Sequence, residues 1–279
     1  MGLCQYCGLD VGLLRKHHKE CEEKHERGWA KMIQLSTEAA RTGTGDDKLE
    51  PQLAALAKFS YVPSPHIHDA LVKGWEVAAG EAVEDRVLSV DEEKRLSGFV
   101  TRHGITREEL DKNKAWTRLA MAATLRDLLD GKIPSRVSVS GQLPFNFQKA
   151  ESLVWVFKDV PYYEERTRTR YVGGSDGMSF RLAKGIYYRT SSFQSTPVTT
   201  PETIRLDSGY LAITTKHVYF AGERKGFRVP YRKIMAFQPF TDGFGIVRDA
   251  ANAKPQAFLT GEGWFSYNLV RNLASRSAE

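Results

Sequence analysis

The chain has 279 residues, a mass of 31.4 kDa and a formal net charge of +6. Hydrophobic residues make up 41% and charged residues 27%, which excludes a disordered or lipid-embedded composition and allows about two domains, or three if one is small. No apolar run approaches the roughly 18 residues of a spanning helix, and the N-terminus lacks the apolar core of a signal peptide. Gly2 opens a myristoylation-like start, but Tyr6 stands where that pattern needs Ser or Thr.

All three cysteines, Cys4, Cys7 and Cys21, fall within the first 21 residues. An odd, clustered set makes a poor disulfide framework and points to a metal site in a reducing, cytoplasmic compartment. Cys4-x2-Cys7 followed by Gly8 suits a tight turn that aims two thiolates at one ion. Residues 13–21 read as helical, which puts His17 and Cys21 one turn apart on one face. Cys4, Cys7, His17 and Cys21 then give the tetrahedral nitrogen and sulfur set that zinc prefers. Four protein ligands leave no open position, so such a zinc is structural. His18 and His25 are the alternatives for the histidine, and Val11 and Leu14 can form a small apolar plug. The arrangement resembles the short C2HC zinc-finger class, with a shorter loop after Cys7. Arg15, Lys16, Lys19 and Lys24 are offset by Glu20, Glu22, Glu23 and Glu26, a balance that suits protein docking better than phosphate.

A helical bundle is expected next, over residues 28–134. Trp29, Met32 and Ile33 form an apolar stripe. Residues 41–47 are a breaker-rich linker. Leu49, Leu53, Leu56 and then Ile67, Leu71, Trp75 mark further helices around Pro63 and Pro65. Ser89 with Glu92, and Thr106 with Glu109, have capping-box spacing. The second box is expected to open one long helix running to Leu129, ended by Gly131 and Pro134. Asp85, Leu88, Ser89, Glu92, Glu93 and Leu96, followed by Gly104-Ile105, resemble the repeat-like core of TerB-type helical domains, with Arg86 in place of a glycine. That resemblance implies a bacterial stress or phage-defence setting. His66, His68 and Asp69 sit at a helix start, where such residues are ordinarily solvated.

After Pro134 the texture changes to strands. Apolar or alternating runs occupy 153–157, 162–171, 178–182, 186–189, 210–214, 217–220, 226–229, 233–240, 245–247 and 257–259. Residues 173–177 read as a turn, and residues 263–275 as an amphipathic helix with Trp264, Leu269, Val270 and Leu273 inward. The expected result is a strongly bent sheet plugged by a terminal helix. Gly209, Leu211, Ile213, Thr214, Lys216, Val218 and Phe220, with the basic-aromatic strand from Phe227 to Ile234, resemble the GRAM and bacterial PH-like superfamily. That resemblance implies an antiparallel β domain whose relatives bind phosphoinositides or proteins; no ligand-contacting residue carries over.

The C-terminal half is also the basic one: residues 136–279 hold 20 Lys and Arg against 12 Asp and Glu. Arg166, Arg168 and Arg170 recur at every second position of a strand and are candidate polyanion contacts. Gly173-x-Ser175-x-Gly177 matches a nucleophile elbow formally, but the elbow needs a helix after the serine, and a strand pattern follows here. No nucleotide-binding glycine loop is present. The sequence therefore reads as α+β with three parts: a zinc knuckle (1–27), a helical bundle (28–134) and a PH/GRAM-like β domain (135–279). The expected function is a non-enzymatic adaptor or sensor that binds a protein partner or an anionic membrane surface, with no small-molecule substrate. The alternative is a nucleic-acid-binding protein that uses the basic β half.

Overall fold

The computed structural model describes the backbone of residues 2–12, 15–84, 88–134, 136, 142–183, 186–251 and 253–277, and their side chains except those of 46, 167–183 and 186–201. The chain is mixed helix and sheet and divides into two compact units, Met1–Arg136 and Val137–Glu279.

Among the described residues the first unit holds six α-helices: α1 (Lys19–Thr42), α2 (Leu49–Phe59), α3 (His66–Glu84), α4 (Val90–Arg102), α5 (Arg107–Asp111) and α6 (Ala115–Leu129). The apolar stripe of α1 delivers Met32, Ala39 and Ala40 to the core, where Leu53, Trp75, Leu96, Phe99 and Leu110 join them. Trp75 is fully buried, donates its indole N–H to the Leu96 carbonyl at 2.9 Å and stacks on Trp116 with centroids 6.0 Å apart. Small residues set the spacing of α1 and α3. A Cβ on Gly74 would come within 2.3 Å of the Ser36 Cβ, so the helices touch through bare backbone at that point.

The helix boundaries follow local chemistry. Gly43 ends α1 in the left-handed region, φ 70°, and its N–H reaches the Ala39 carbonyl. Both capping boxes form: Ser89 with Glu92 at α4, and Thr106 with Glu109 at α5. The expected single helix from Thr106 to Leu129 is instead two. Lys114 adopts φ 58°, and the Asp111 carboxylate accepts from the backbone and hydroxyl of Thr117, restarting the helix as a cap does. Asp85 and Arg86 of the TerB-like pattern lie outside the described residues.

The second unit is a seven-stranded antiparallel sheet in the order β4-β3-β2-β1-β7-β6-β5, with a terminal helix α7 (Gly263–Arg276). Its strands are β1 (Leu153–Ala183), β2 (Ile186–Thr214), β3 (His217–Gly222), β4 (Gly226–Pro230), β5 (Ile234–Pro239), β6 (Gly243–Arg248) and β7 (Gln256–Leu259). At the end of β2 and in β3 burial is continuous rather than alternating: Leu211, Ala212, Ile213, Val218, Tyr219 and Phe220 are all buried, so both faces of the sheet are covered there. Tyr162 is fully buried among Phe220, Phe227 and Phe258. On α7, Phe265, Leu269, Val270 and Leu273 are buried, whereas Trp264, expected inward, is 42% exposed. Residues 173–177, expected as a turn, belong to β1. Gly173 pairs with Ser195 and Ser175 with Phe193, so the ladder runs through them and Ser175 is not on a strand-to-helix elbow.

A strap before β1 is tied to the sheet. Phe145 and Phe147 pack against Tyr219. The Glu151 side chain is fully buried and accepts from His217 Nδ1 at 2.8 Å, from Thr214 Oγ1 at 3.0 Å, from the Gln148 N–H and from the Tyr219 hydroxyl.

Candidate metal centre

The N-terminal turn is built around Gly8, which takes φ 72° and donates its N–H to the Cys4 carbonyl at 2.9 Å. That left-handed conformation strains a residue that carries a Cβ, so glycine suits the position after the second thiolate, although the space around it is open. The Cys4 N–H reaches the Leu9 carbonyl at 2.8 Å, and Leu3 bridges Asp10. This small hairpin presents Cys4 and Cys7 on one side. The first turn of α1 presents Cys21.

Cys4, Cys7, His18 and Cys21 each offer one ligand atom, and those atoms all lie within 4.8 Å of one another. Among the described residues no other group of three or more such side chains could hold a metal ion. His18 Nδ1 is 3.4 Å from Cys7 Sγ and 3.8 Å from Cys21 Sγ. The opposite ring nitrogen, Nε2, is 3.0 Å from the Asp10 carbonyl oxygen. A proton on Nε2 satisfies that carbonyl and leaves the Nδ1 lone pair facing the thiols. Metal-binding histidines are commonly oriented by an outer hydrogen bond of this kind.

His17 is not part of the group, which corrects the expected ligand set of Cys4, Cys7, His17 and Cys21. That expectation rested on helical spacing between His17 and Cys21, but α1 begins only at Lys19 and His18 is extended, with ψ 142°. Extended backbone at His18 brings the adjacent ring inward. His17 turns out to Glu22, with Nε2 3.0 Å from the carboxylate. His25 packs at a tilt against Tyr6, with ring centroids 4.9 Å apart. Val11 is half-buried, and Leu14 lies outside the described residues.

The thiols are electrostatically unequal. Burial raises the Cys4 thiol, but backbone N–H groups of Cys7, His18 and Tyr6 oppose it and hold the value down at about 6. Burial and hydrogen bonds to Cys7 and Cys4 push Cys21 up to about 11. The Asp10 carbonyl, then Cys7 and Cys4, raise His18. Thiols gathered this closely resist losing all their protons unless a cation replaces them, which is the chemistry of a metal site.

The other sequence candidates are placed differently. Arg166 is exposed at the start of the β1–β2 extension, opposite Glu202 in the register. The side chains of Arg168 and Arg170 lie outside those described; their backbones stand opposite Thr200 and Val198. His68 is 2.9 Å from Glu109, joining the α5 capping box, and His66 lies edge-on to Trp29. Among the described residues no helix is long and apolar enough to cross a membrane.

Searches with protein-family profiles, among curated proteins and among solved structures find no match to this chain.

Proposed function

We propose that this chain is a zinc-stabilised docking protein, a non-enzymatic cytoplasmic adaptor or sensor whose β unit is PH/GRAM-like and engages a protein partner. The zinc reading is supported by three sulfurs and one imidazole nitrogen converging on one point, a set that zinc favours and that leaves no position for substrate. The PH/GRAM-like reading is supported by the motif at 209–220 together with the strand order and the terminal helix. A bacterial stress or phage-defence setting rests on the TerB resemblance.

The observation that carries the docking reading is the free edge of β5. β5 is the last strand in the sheet, and among the described residues no strand pairs with its outer side. Met235 on it is 69% exposed. Between β5 and α7 runs a groove of about 430 Å³ lined by Ile234, Phe237, Arg271 and Ala274. An extended peptide can add a strand to such an edge, with main-chain hydrogen bonds for affinity and the groove for its side chains. The unpaired edge is otherwise an aggregation hazard.

The test is a parallel assay on the purified full chain. It combines partner capture from cell extract, flotation with phosphatidylserine vesicles and a single-strand DNA shift. Capture of a specific protein that is lost in Met235→Pro supports the reading. Vesicle or DNA binding that survives Met235→Pro and is lost when Arg166, Arg168 and Arg170 become Glu transfers the function to those arginines. Either polyanion contact should weaken steeply with salt.

A further inference from the structure

The helical unit contains a cavity of about 740 Å³ between α4, the Gly104–Ile105 link and α6. That volume is within the range of small-molecule sites. Its lining is mixed: Val100, Ile105, Trp116, Leu119 and Ala120 form an apolar part, and Ser97 and Thr101 line it beside them. Its charged lining is Glu93, Arg107 and Arg136.

These charges differ in availability. Glu93 and Asp127 are both bridged by Arg126 and Arg136: Arg126 Nη2 lies 2.6 Å from Glu93 and 2.7 Å from Asp127, and Arg136 Nη2 lies 2.5 Å from Asp127. Arg136 also pairs with Glu93 through Nη1. Two carboxylates and two guanidinium groups therefore close a neutral network. Arg107 stands outside it. Its guanidinium lies over the Trp116 ring, 5.1 Å from the centroid, and no carboxylate pairs with it among the described residues. Stacking on an indole fixes a guanidinium while leaving its N–H donors in the ring plane free to bind an anion. Trp116 itself stacks on the fully buried Trp75, with centroids 6.0 Å apart, which anchors the ring.

We propose that this cavity binds a small amphipathic anion: a compact apolar body seated on Val100, Ile105 and Leu119, with one carboxylate or phosphate on Arg107. The apolar part of the lining favours a ligand with an apolar body over free phosphate. The surplus positive charge at the rim favours an anion over a neutral lipid-like molecule.

The test uses 1-anilinonaphthalene-8-sulfonate as a fluorescent probe on the full chain, displaced by decanoate or by neutral decanol. Wild-type protein should bind the probe saturably, and decanoate should displace it at about tenfold lower concentration than decanol, the difference one good ionic contact supplies. Arg107→Gln should abolish that preference. Ala120→Trp should block the cavity, and Thr101→Trp, at an exposed rim position, provides the same block without touching the core. Circular dichroism checks that each variant folds. Probe binding unchanged in both filled variants would overturn the site. Equal displacement by decanoate and decanol, or a preference that survives Arg107→Gln, would overturn the ligand class.

Discussion

Glu151 and His217, 66 residues apart in sequence, meet at 2.8 Å and fasten the strap before β1 to the β2–β3 hairpin. Burial raises the Glu151 carboxyl, but the donors from Tyr219, His217, Gln148 and Thr214 outweigh it and hold the group below its ordinary value. The resulting stability is full above the unfolded carboxyl value of about 4.3 and is lost as pH falls through the lower folded value. Glu151→Ala leaves buried donors unpaired and should cost about 3 kcal/mol near pH 7. In urea melts the gap between wild type and Glu151→Gln should shrink as pH drops below about 4. A gap that stays constant would remove the carboxylate from the acid response.

The metal centre gives a prediction that separates two adjacent histidines. Purified, chelator-free protein should carry about one zinc per chain, by the one-ion ligand count. Cys4→Ser and His18→Ala should release it, while His17→Ala should retain it. Mass spectrometry of the metal content reads all three. Cys4→Ser should also loosen the start of α1 in hydrogen exchange and leave the β unit protected.

Contact between α1 and α3 depends on the missing side chain at Gly74. Gly74→Ala forces a methyl group against Ser36 and the backbone of Thr37, and should destabilise the helical unit by about 1–3 kcal/mol. Thermal melts followed by circular dichroism at 222 nm give the measurement.

A stabilising change is available at Lys114. Its φ of 58° is strained for a lysine and ordinary for glycine. Lys114→Gly should raise stability by about 0.5–1 kcal/mol, reduced by the greater freedom of glycine in the unfolded chain. A drop in stability would mean that the break between α5 and α6 is held by more than Asp111.

Much of the fold is legible in the sequence because its signals are local. The capping boxes at Ser89 and Thr106 and the apolar runs at 210–214 and 217–220 need no tertiary information, although both faces of those runs are buried rather than one. The thiol spacing also identifies three members of the metal group. What cannot be read is decided by backbone choices without a sequence signature. Nothing marks Lys114 as left-handed, or His18 as extended just before the helix, and that one boundary decides which histidine faces the thiols. Glycines at 173, 174 and 177 suggest a turn, yet the ladder passes through them because pairing with residues 191–195 supplies the hydrogen bonds. The Arg107–Trp116 platform joins residues from two helices whose separation is itself misread by periodicity.

Helix α1 begins beside His18, carries Cys21 in its first turn and ends 24 residues later, after burying Met32, Ala39 and Ala40. At 1.5 Å per residue it is a rod about 36 Å long. One end belongs to the hairpin of thiols and the rest to the core of the bundle. An ion held at Cys4, Cys7, His18 and Cys21 is therefore linked thermodynamically to that core: whatever free energy it contributes at the first turn opposes fraying of the helix on which Trp75 and Leu53 pack. A chelator or thiol oxidant acting on Cys4, Cys7 and Cys21 would be felt as a lowered melting temperature of the whole helical unit.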